Sequence, residues 1–315
     1  MSKNLNILKI RQKLIMCYNR LKSVTVMFEY NPSIVGDRIL NAIGPTYYPI
    51  FIVITTFALC CYVYSRKSLT FNGCCATMFV GVSVFWYLSF SGFAVLLLFF
   101  FSSTFFSKLC KKKTKGTIVG IQEKSDCRDY MQVIANGGPA AAFAFLYRIT
   151  GFKFWILLFG AAIAESNSDT WAGEIGMLGS AQPVSIITRK VVIKGLSGGV
   201  TRLGLFASLL GSFVIALLWS MLYSGMFNCW FLNTINITLS GFIGCLVDSI
   251  LGDLFQVQYK TSSGKITEHE YTDGVRNIYF RGVKWMNNDI VNLLSNLSSS
   301  IVSFILILLL NRNTL

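Results

Sequence analysis

The sequence predicts an all-α, polytopic transmembrane helix bundle of seven or eight spans. Three observations predict it. The 315 residues are 53% hydrophobic and only 13% charged, where a soluble domain is about a quarter charged. Mean hydropathy is +0.57. Apolar runs near the ~20 residues that a spanning helix needs recur along the chain. The 26 Phe, 13 Tyr and 6 Trp also exclude a disordered chain, in which so much aromatic surface would have to stay solvated.

Residues 1–40 form a basic segment with Lys3, Lys9, Arg11, Lys13, Arg20 and Lys22 and no acid before Glu29. Two readings fit it: a targeting peptide, basic and poor in acids, or a helix lying on the membrane surface. Residues 41–315 read as a single transmembrane domain that carries the chemistry. Within it, five stretches are long and apolar enough to span: 47–64, 90–106, 203–222, 230–255 and 290–310. Stretches 69–88 and 152–164 are shorter or less uniform. The run ANGGPAAAFAFLY at 135–147 is rich in small residues and spans only if packed against other helices. That run decides between seven and eight.

Lys and Arg set the orientation. With eight spans, one face collects 18 of the 28 basic residues, among them Arg66, Lys67, Lys108, Arg189 and Lys260. These charges flank spans and are not interleaved with exposed aromatics. Anionic lipid head groups and the positive-inside rule therefore account for the net charge of +14, and nucleic acid is not the partner. The run KLCKKKTKG, 108–116, reads as a solvated juxtamembrane loop. The nine cysteines show no CxxC spacing; Cys60, Cys61, Cys74 and Cys75 lie in or beside apolar runs and read as small buried hydrophobes. The one histidine, His269, excludes sites that need two imidazoles. Oxygen-ligated magnesium is then the default metal, if there is one. His269 itself reads as solvated.

Acids inside apolar spans are functional-site candidates, a shared ion or ion pathway being one reading and structural pairing with Lys or Arg across a helix interface the other. In AAIAESNSDTWAGEIGMLG, 161–179, Glu165, Asp169, Ala172 and Gly176 fall on one helical face. This makes a polar notch that a cation and a phosphate can approach. In GFIGCLVDSILGDLFQ, 241–256, Asp248 and Ser249 sit within apolar sequence, while Asp253 reads as a solvated end residue. Between the two segments, TRKVVIKGLSGGVTRLG offers Lys190 and Lys194, then Gly195, Ser197, Gly198, Gly199 and Thr201, ahead of a long apolar helix. Glycines let backbone N–H groups turn toward an anion, and the helix N-terminus adds a positive dipole end. No GxxxxGK[ST] occurs, so this is not a soluble P-loop. A flexible basic loop is the plain alternative. In RDYMQVIANGGPAA, Asn136 either caps a helix or bonds a ligand.

In this order, RDYMQVIANGG, AESNSDTWAGEIGMLG, ITRKVVIKGLSGGVTRLG and GCLVDSILGDLFQ resemble the transmembrane protein 19 / phytyl-phosphate kinase family of integral membrane proteins. The resemblance runs over residues 69–310. More distantly, the chain is similar to dolichol and phytol kinases and CDP-diacylglycerol synthases. Their D-x-x-A-x-x-x-G pattern stands here as Asp169, Ala172 and Gly176, and their K…EG element as Lys190 through Gly195. Asp253 replaces a small residue, and Gly173 stands where serine is common.

The resemblance implies transfer of a phosphoryl group from a nucleoside triphosphate, CTP or ATP, to a prenyl monophosphate. It implies Mg²⁺ held by Asp169, Asp248 and Glu165. Lys190, Lys194 and the Gly195–Gly199 loop with Thr201 would hold phosphates, and Asn136 and Ser249 would contact substrate. It further implies an endoplasmic reticulum or plastid-like organellar membrane. Two other readings stay open: a cytidylyltransferase acting on a lipid phosphate, and an ion-coupled transporter with Asp169 and Asp248 at its midplane.

Overall fold

Inside a bilayer every backbone N–H and C=O must be satisfied within the segment, so apolar runs become helices. A computed structural model of the protein describes residues 44, 47–114, 127–227, 229–272 and 274–310. The basic segment 1–40 lies outside the described residues. Seven helices are described: α1 (Tyr48–Ser65), α2 (Phe71–Thr114), α3 (Tyr130–Thr150), α4 (Phe154–Leu178), α5 (Arg202–Tyr223), α6 (Trp230–Leu254) and α7 (Asn288–Leu310). Five of them, α1, α2, α5, α6 and α7, are long and apolar enough to cross a membrane. The protein is thus a multi-pass membrane protein.

A straight α2 would be about 66 Å long at 1.5 Å per residue. Its helical dihedrals break at Ser89 (φ 57°, ψ −163°), and the chain folds back there. The rings of Phe85 and Phe93 stack at 4.5 Å, and a Cβ on Gly81 would lie 3.7 Å from the Phe93 ring. In a continuous helix Gly81 and Phe93 would be ~18 Å apart. The reversal falls between the two runs that the hydropathy separates, 69–88 and 90–106. The second half continues through Thr114. The Lys108–Thr114 part of the expected basic loop is therefore helix, its lysines at the negative end of the dipole.

Helix α3 starts earlier than its small-residue run. The side chain of Asp129 caps it, accepting from Gln132 N at 3.0 Å, which removes the capping role considered for Asn136. It stops at Gly151 in the left-handed region, φ 73°. Its small residues are needed for contact: a Cβ on Gly137 would already stand 3.1 Å from Val80 of α2. Helix α4 is the central post, packed on α2, α3, α5, α6 and α7 and continuously buried from Ile156 to Ser168.

Helices in lipid lack a hydrophobic drive to associate, so close packing and hydrogen bonds hold them. Gly241 of α6 lets the helix approach Ala164 and Ser212, whose atoms would stand 2.8–2.9 Å from an added Cβ. Asn296 and Ser299 of α7 donate to Ala162 O and Ala161 O of α4 at 2.9 and 3.0 Å. Ser303 of α7 donates to Asn236 of α6 at 2.7 Å, and the Ser168 and Ser208 hydroxyls meet at 2.7 Å between α4 and α5.

The long connections gather at one end of the bundle. Leu69 bridges Arg128 there, and β1 (Val184–Ser185) pairs with β2 (Gly199–Val200). Between α6 and α7 lie β3 (Gln258–Lys260), β4 (Ile266–Thr267), β5 (Tyr271–Thr272), β6 (Val275–Arg276) and β7 (Ile278–Arg281). Strands β4, β3 and β7 form one antiparallel sheet in that order, and β5 with β6 form a hairpin. At the opposite end the links are short: Ser89, the turn around Gly151, and the turn after Tyr223.

Candidate functional site: two cavities sharing Asp169

At the end with the long connections, α4 and α6 present their acids to a cavity closed by the loop between α4 and α5. Asp169, Ala172 and Gly176 of α4 line it, and so do Asp248 and Ser249 of α6. The loop supplies Lys194, Gly195, Ser197, Gly198, Gly199 and Thr201. Acids and a glycine-rich basic loop that are far apart in the chain thus converge on one open space of about 840 Å³, mouth included.

The loop is held in place by specific bonds. Lys194 Nζ donates to Gly179 O at 2.8 Å, tying the loop to the end of α4. Gly195 and Gly198 take φ of +96° and +83°, a region that suits glycine. Thr201 caps α5 by accepting from Gly204 N at 3.0 Å. Ser197 N donates to Glu268 of the strand region at 2.7 Å. Asp253 is buried; it accepts from Ser185 Oγ and pairs with Arg281 Nη2 at 3.7 Å. Its expected role as a solvated end residue is therefore corrected: it pins the loop to α6. Lys190 is exposed and lines neither this cavity nor the next. His269 is half-buried.

Glu165 lies deeper, 1% exposed, and lines neither cavity. Its oxygens meet Ser295 at 2.7 Å, Asn296 at 3.3 Å and Ser166 at 3.4 Å. The Ser295 hydroxyl also stands 3.2 Å from Asp248 Oδ2, so one serine of α7 joins the two acids. The expected trio of Asp169, Asp248 and Glu165 is not assembled as one ligand set. Among the described residues no group of three His, Cys, Asp or Glu could hold a metal ion. Asp169 and Asp248 nevertheless share a cavity, and magnesium is commonly held by one or two carboxylates with substrate phosphates completing the shell.

A second cavity of about 1350 Å³, mouth included, opens on the other side of Asp169, between α1, α2, α3 and α4. Asp169 and Asn288 line both cavities. Asn136 lines the second one, its Nδ2 donating to Gln132 O at 2.9 Å. Glu174, also on its wall, accepts from Ser107 at 2.7 Å. Lys67, Lys108, Lys111 and Arg128 stand at its polar end. Burial draws the Arg128 guanidinium below its ordinary pKa, with Glu174 opposing the shift; an arginine stays charged at neutral pH all the same. These cations were not among the expected site residues. The available signal was that the RDYMQVIANGG motif begins at Arg128.

The family described as integral membrane protein DUF92 matches residues 54–300. The chain belongs to that family. This DUF92 protein is 31% identical over 285 residues to Protein PGR of Arabidopsis thaliana, a match that covers 83% of the chain and 97% of that protein. It is 31% identical over 196 residues to an uncharacterized membrane protein of Methanocaldococcus jannaschii, covering 60% of the chain and 76% of that protein. It is 26% identical over 250 residues to Protein VTE6, chloroplastic, of A. thaliana, covering 76% of the chain and 65% of that protein. No solved structure matches it. The resemblance read from the four motifs thus holds at the level of the family.

Proposed function

We propose that this DUF92 protein is a membrane phosphotransferase that moves a phosphoryl group from a nucleoside triphosphate, CTP by family resemblance, to a prenyl monophosphate. The observation that carries the reading is the position of Asp169 on the wall of two cavities. One is polar and lined by a glycine-rich loop, as the phosphates of a nucleotide require. The other is walled by Leu59, Val80, Phe93 and Leu96, as a lipid tail requires. A group passing from one ligand to the other passes Asp169. We read eight spans, counting the two halves of α2 together with α3 and α4, and an organellar, plastid-like membrane.

Phosphoryl transfer asks mainly for alignment and charge neutralisation. An oxygen of the acceptor monophosphate attacks the terminal phosphorus of the donor. The bond from that phosphorus to its bridging oxygen breaks, and the nucleoside diphosphate leaves. A phosphate monoester has its second pKa near ~6, so the attacking oxygen needs no base. Lys194 has three N–H donors; one reaches Gly179 O, leaving others for donor phosphates. Mg²⁺, which the pair Asp169 and Asp248 fits, would neutralise charge on the transferring phosphate. Asp248 is aligned by Ser295, and Ser295 by Glu165.

The protein in nanodiscs with Mg²⁺ and labelled CTP or ATP should convert geranylgeranyl or phytyl monophosphate to the diphosphate. Release of pyrophosphate in place of nucleoside diphosphate would show a cytidylyltransferase, and absence of both product and nucleotide binding would end the reading. Glu165→Gln, which keeps polar atoms beside Ser295, should retain activity within about tenfold, while Glu165→Ala should lose about a hundredfold in kcat. A Gln variant as inactive as Ala would instead make the Glu165 charge itself essential.

A further inference from the structure

The second cavity is graded along its length. Phe93, Leu96, Leu97 and Phe100, then Thr104, Ser107, Lys108 and Lys111, all line it. Their spacing of three and four residues puts them on one face of the second half of α2. That face is apolar up to Phe100 and polar or cationic from Thr104 onward, over about 27 Å of helix from Phe93 to Lys111. Arg128 stands at the same polar end, its guanidinium 5.9 Å from the centre of the Phe100 ring, where the two halves of the gradient meet. At the other end Gly81, Thr56 and Phe93 close together: a Cβ on Gly81 would stand 2.9 Å from Thr56 Cγ2. The polar end is also the end of the bundle where the long basic connections lie, at the level of lipid head groups.

The geometry points to this cavity as the binding site of a single-tailed lipid monophosphate, with Lys108, Lys111 and Arg128 receiving the phosphate and the tail lying along α2 toward Gly81. Four cations, counting Lys67, face two carboxylates, Glu174 and Asp169, at this end. The balance favours a dianionic head, and the four phenylalanine and leucine side chains favour a hydrocarbon tail. The inference deepens the proposed reaction, and that the ligand is the phosphoryl acceptor rests on that reading; that it binds here does not. It also moves the acceptor phosphate away from Lys190 and the glycine loop.

The test is equilibrium binding of tritiated geranylgeranyl monophosphate to the full chain in neutral-lipid nanodiscs, without nucleotide. Lys108→Gln and Lys111→Gln should each weaken binding by about tenfold, as loss of a charge-assisted hydrogen bond does. A fluorescent nucleoside triphosphate should bind both variants as it binds the wild type, because neither lysine lines the polar cavity. Leu96→Trp should weaken the geranylgeranyl ester more than the shorter geranyl ester. Geranylgeraniol and inorganic phosphate should compete poorly, since each holds only half of the ligand. Lysophosphatidate, run as a separate competitor, separates a glycerolipid source of the same chemistry from an isoprenoid one. Unchanged binding in both lysine variants, with loss of binding in Lys194→Gln, would overturn the site. Charge-dependent binding, with neither diphosphate product nor nucleotide binding, would sink the transferase reading and leave this site standing.

Discussion

Asp169→Asn is expected to lower kcat by about 10³-fold or more, the scale on which charge-stabilising groups act in phosphoryl transfer, while the protein still inserts and folds. The substitution keeps size and polarity and removes only the charge. Asp169 lines both cavities, so under the proposed reaction a loss of charge there would act on donor and acceptor together. Buried structural acids give a different pattern. A merely structural Asp169 would leave turnover unchanged on amidation and show its effect, if any, in stability alone. The check is a pair of measurements on one preparation: diphosphate formation, and thermal unfolding in detergent. Full activity in the Asn variant would remove Asp169 from the chemistry.

Gly198→Ala is expected to destabilise the loop by about 3 kcal/mol or more, in the range of strongly disruptive single changes. Two costs add. The backbone is held at φ +83°, where a Cβ is strained. That Cβ would also press on Asp253, standing 2.6 Å from its Cα and N and closer still to its Cβ. These are mostly backbone atoms of α6, which cannot step aside. The expected readouts are a lower unfolding temperature and faster proteolysis between α4 and α5. Gly173→Ala is the control: nothing lies within 4 Å of its added Cβ. On a helix it should be neutral or stabilising by up to about 1 kcal/mol. A Gly198→Ala protein as stable as the control would mean that the loop does not dock on α6.

Much of this was legible in the sequence because lipid leaves the backbone few options. Hydropathy placed α1, the second half of α2, α5, α6 and α7 clearly, showed the first half of α2 and α4 as shorter or less uniform runs, and left the small-residue run of α3 open. The break between 69–88 and 90–106 coincides with Ser89. The helical spacing of Asp169, Ala172 and Gly176 was enough to put them on one cavity wall. The rest depended on partners distant in sequence. Asp253 looked solvated because Ser185, which bonds it, is 68 residues away. Glu268 drew no notice because its partner, Ser197 N, is 71 residues away. Glu165 shares the helical face of Asp169, but a face has depth. One turn further into the bundle, the carboxylate meets Ser295 and Asn296 of α7 before it reaches any cavity. The cationic end of the second cavity was hidden because its lysines read as ordinary flanking charge.

The reversal at Ser89 also has a consequence for how the molecule meets its two compartments. Between α1 and α7, the described residues that link helices at that end of the bundle are a buried serine and two short turns, while the strands and basic helix ends lie at the other. An enzyme or antibody added to that bare side would find almost nothing between α1 and α7 to cut or grip. On the proposed reading, the polar cavity, walled by the loop between α4 and α5, would exchange its water-soluble reactants with that one compartment alone.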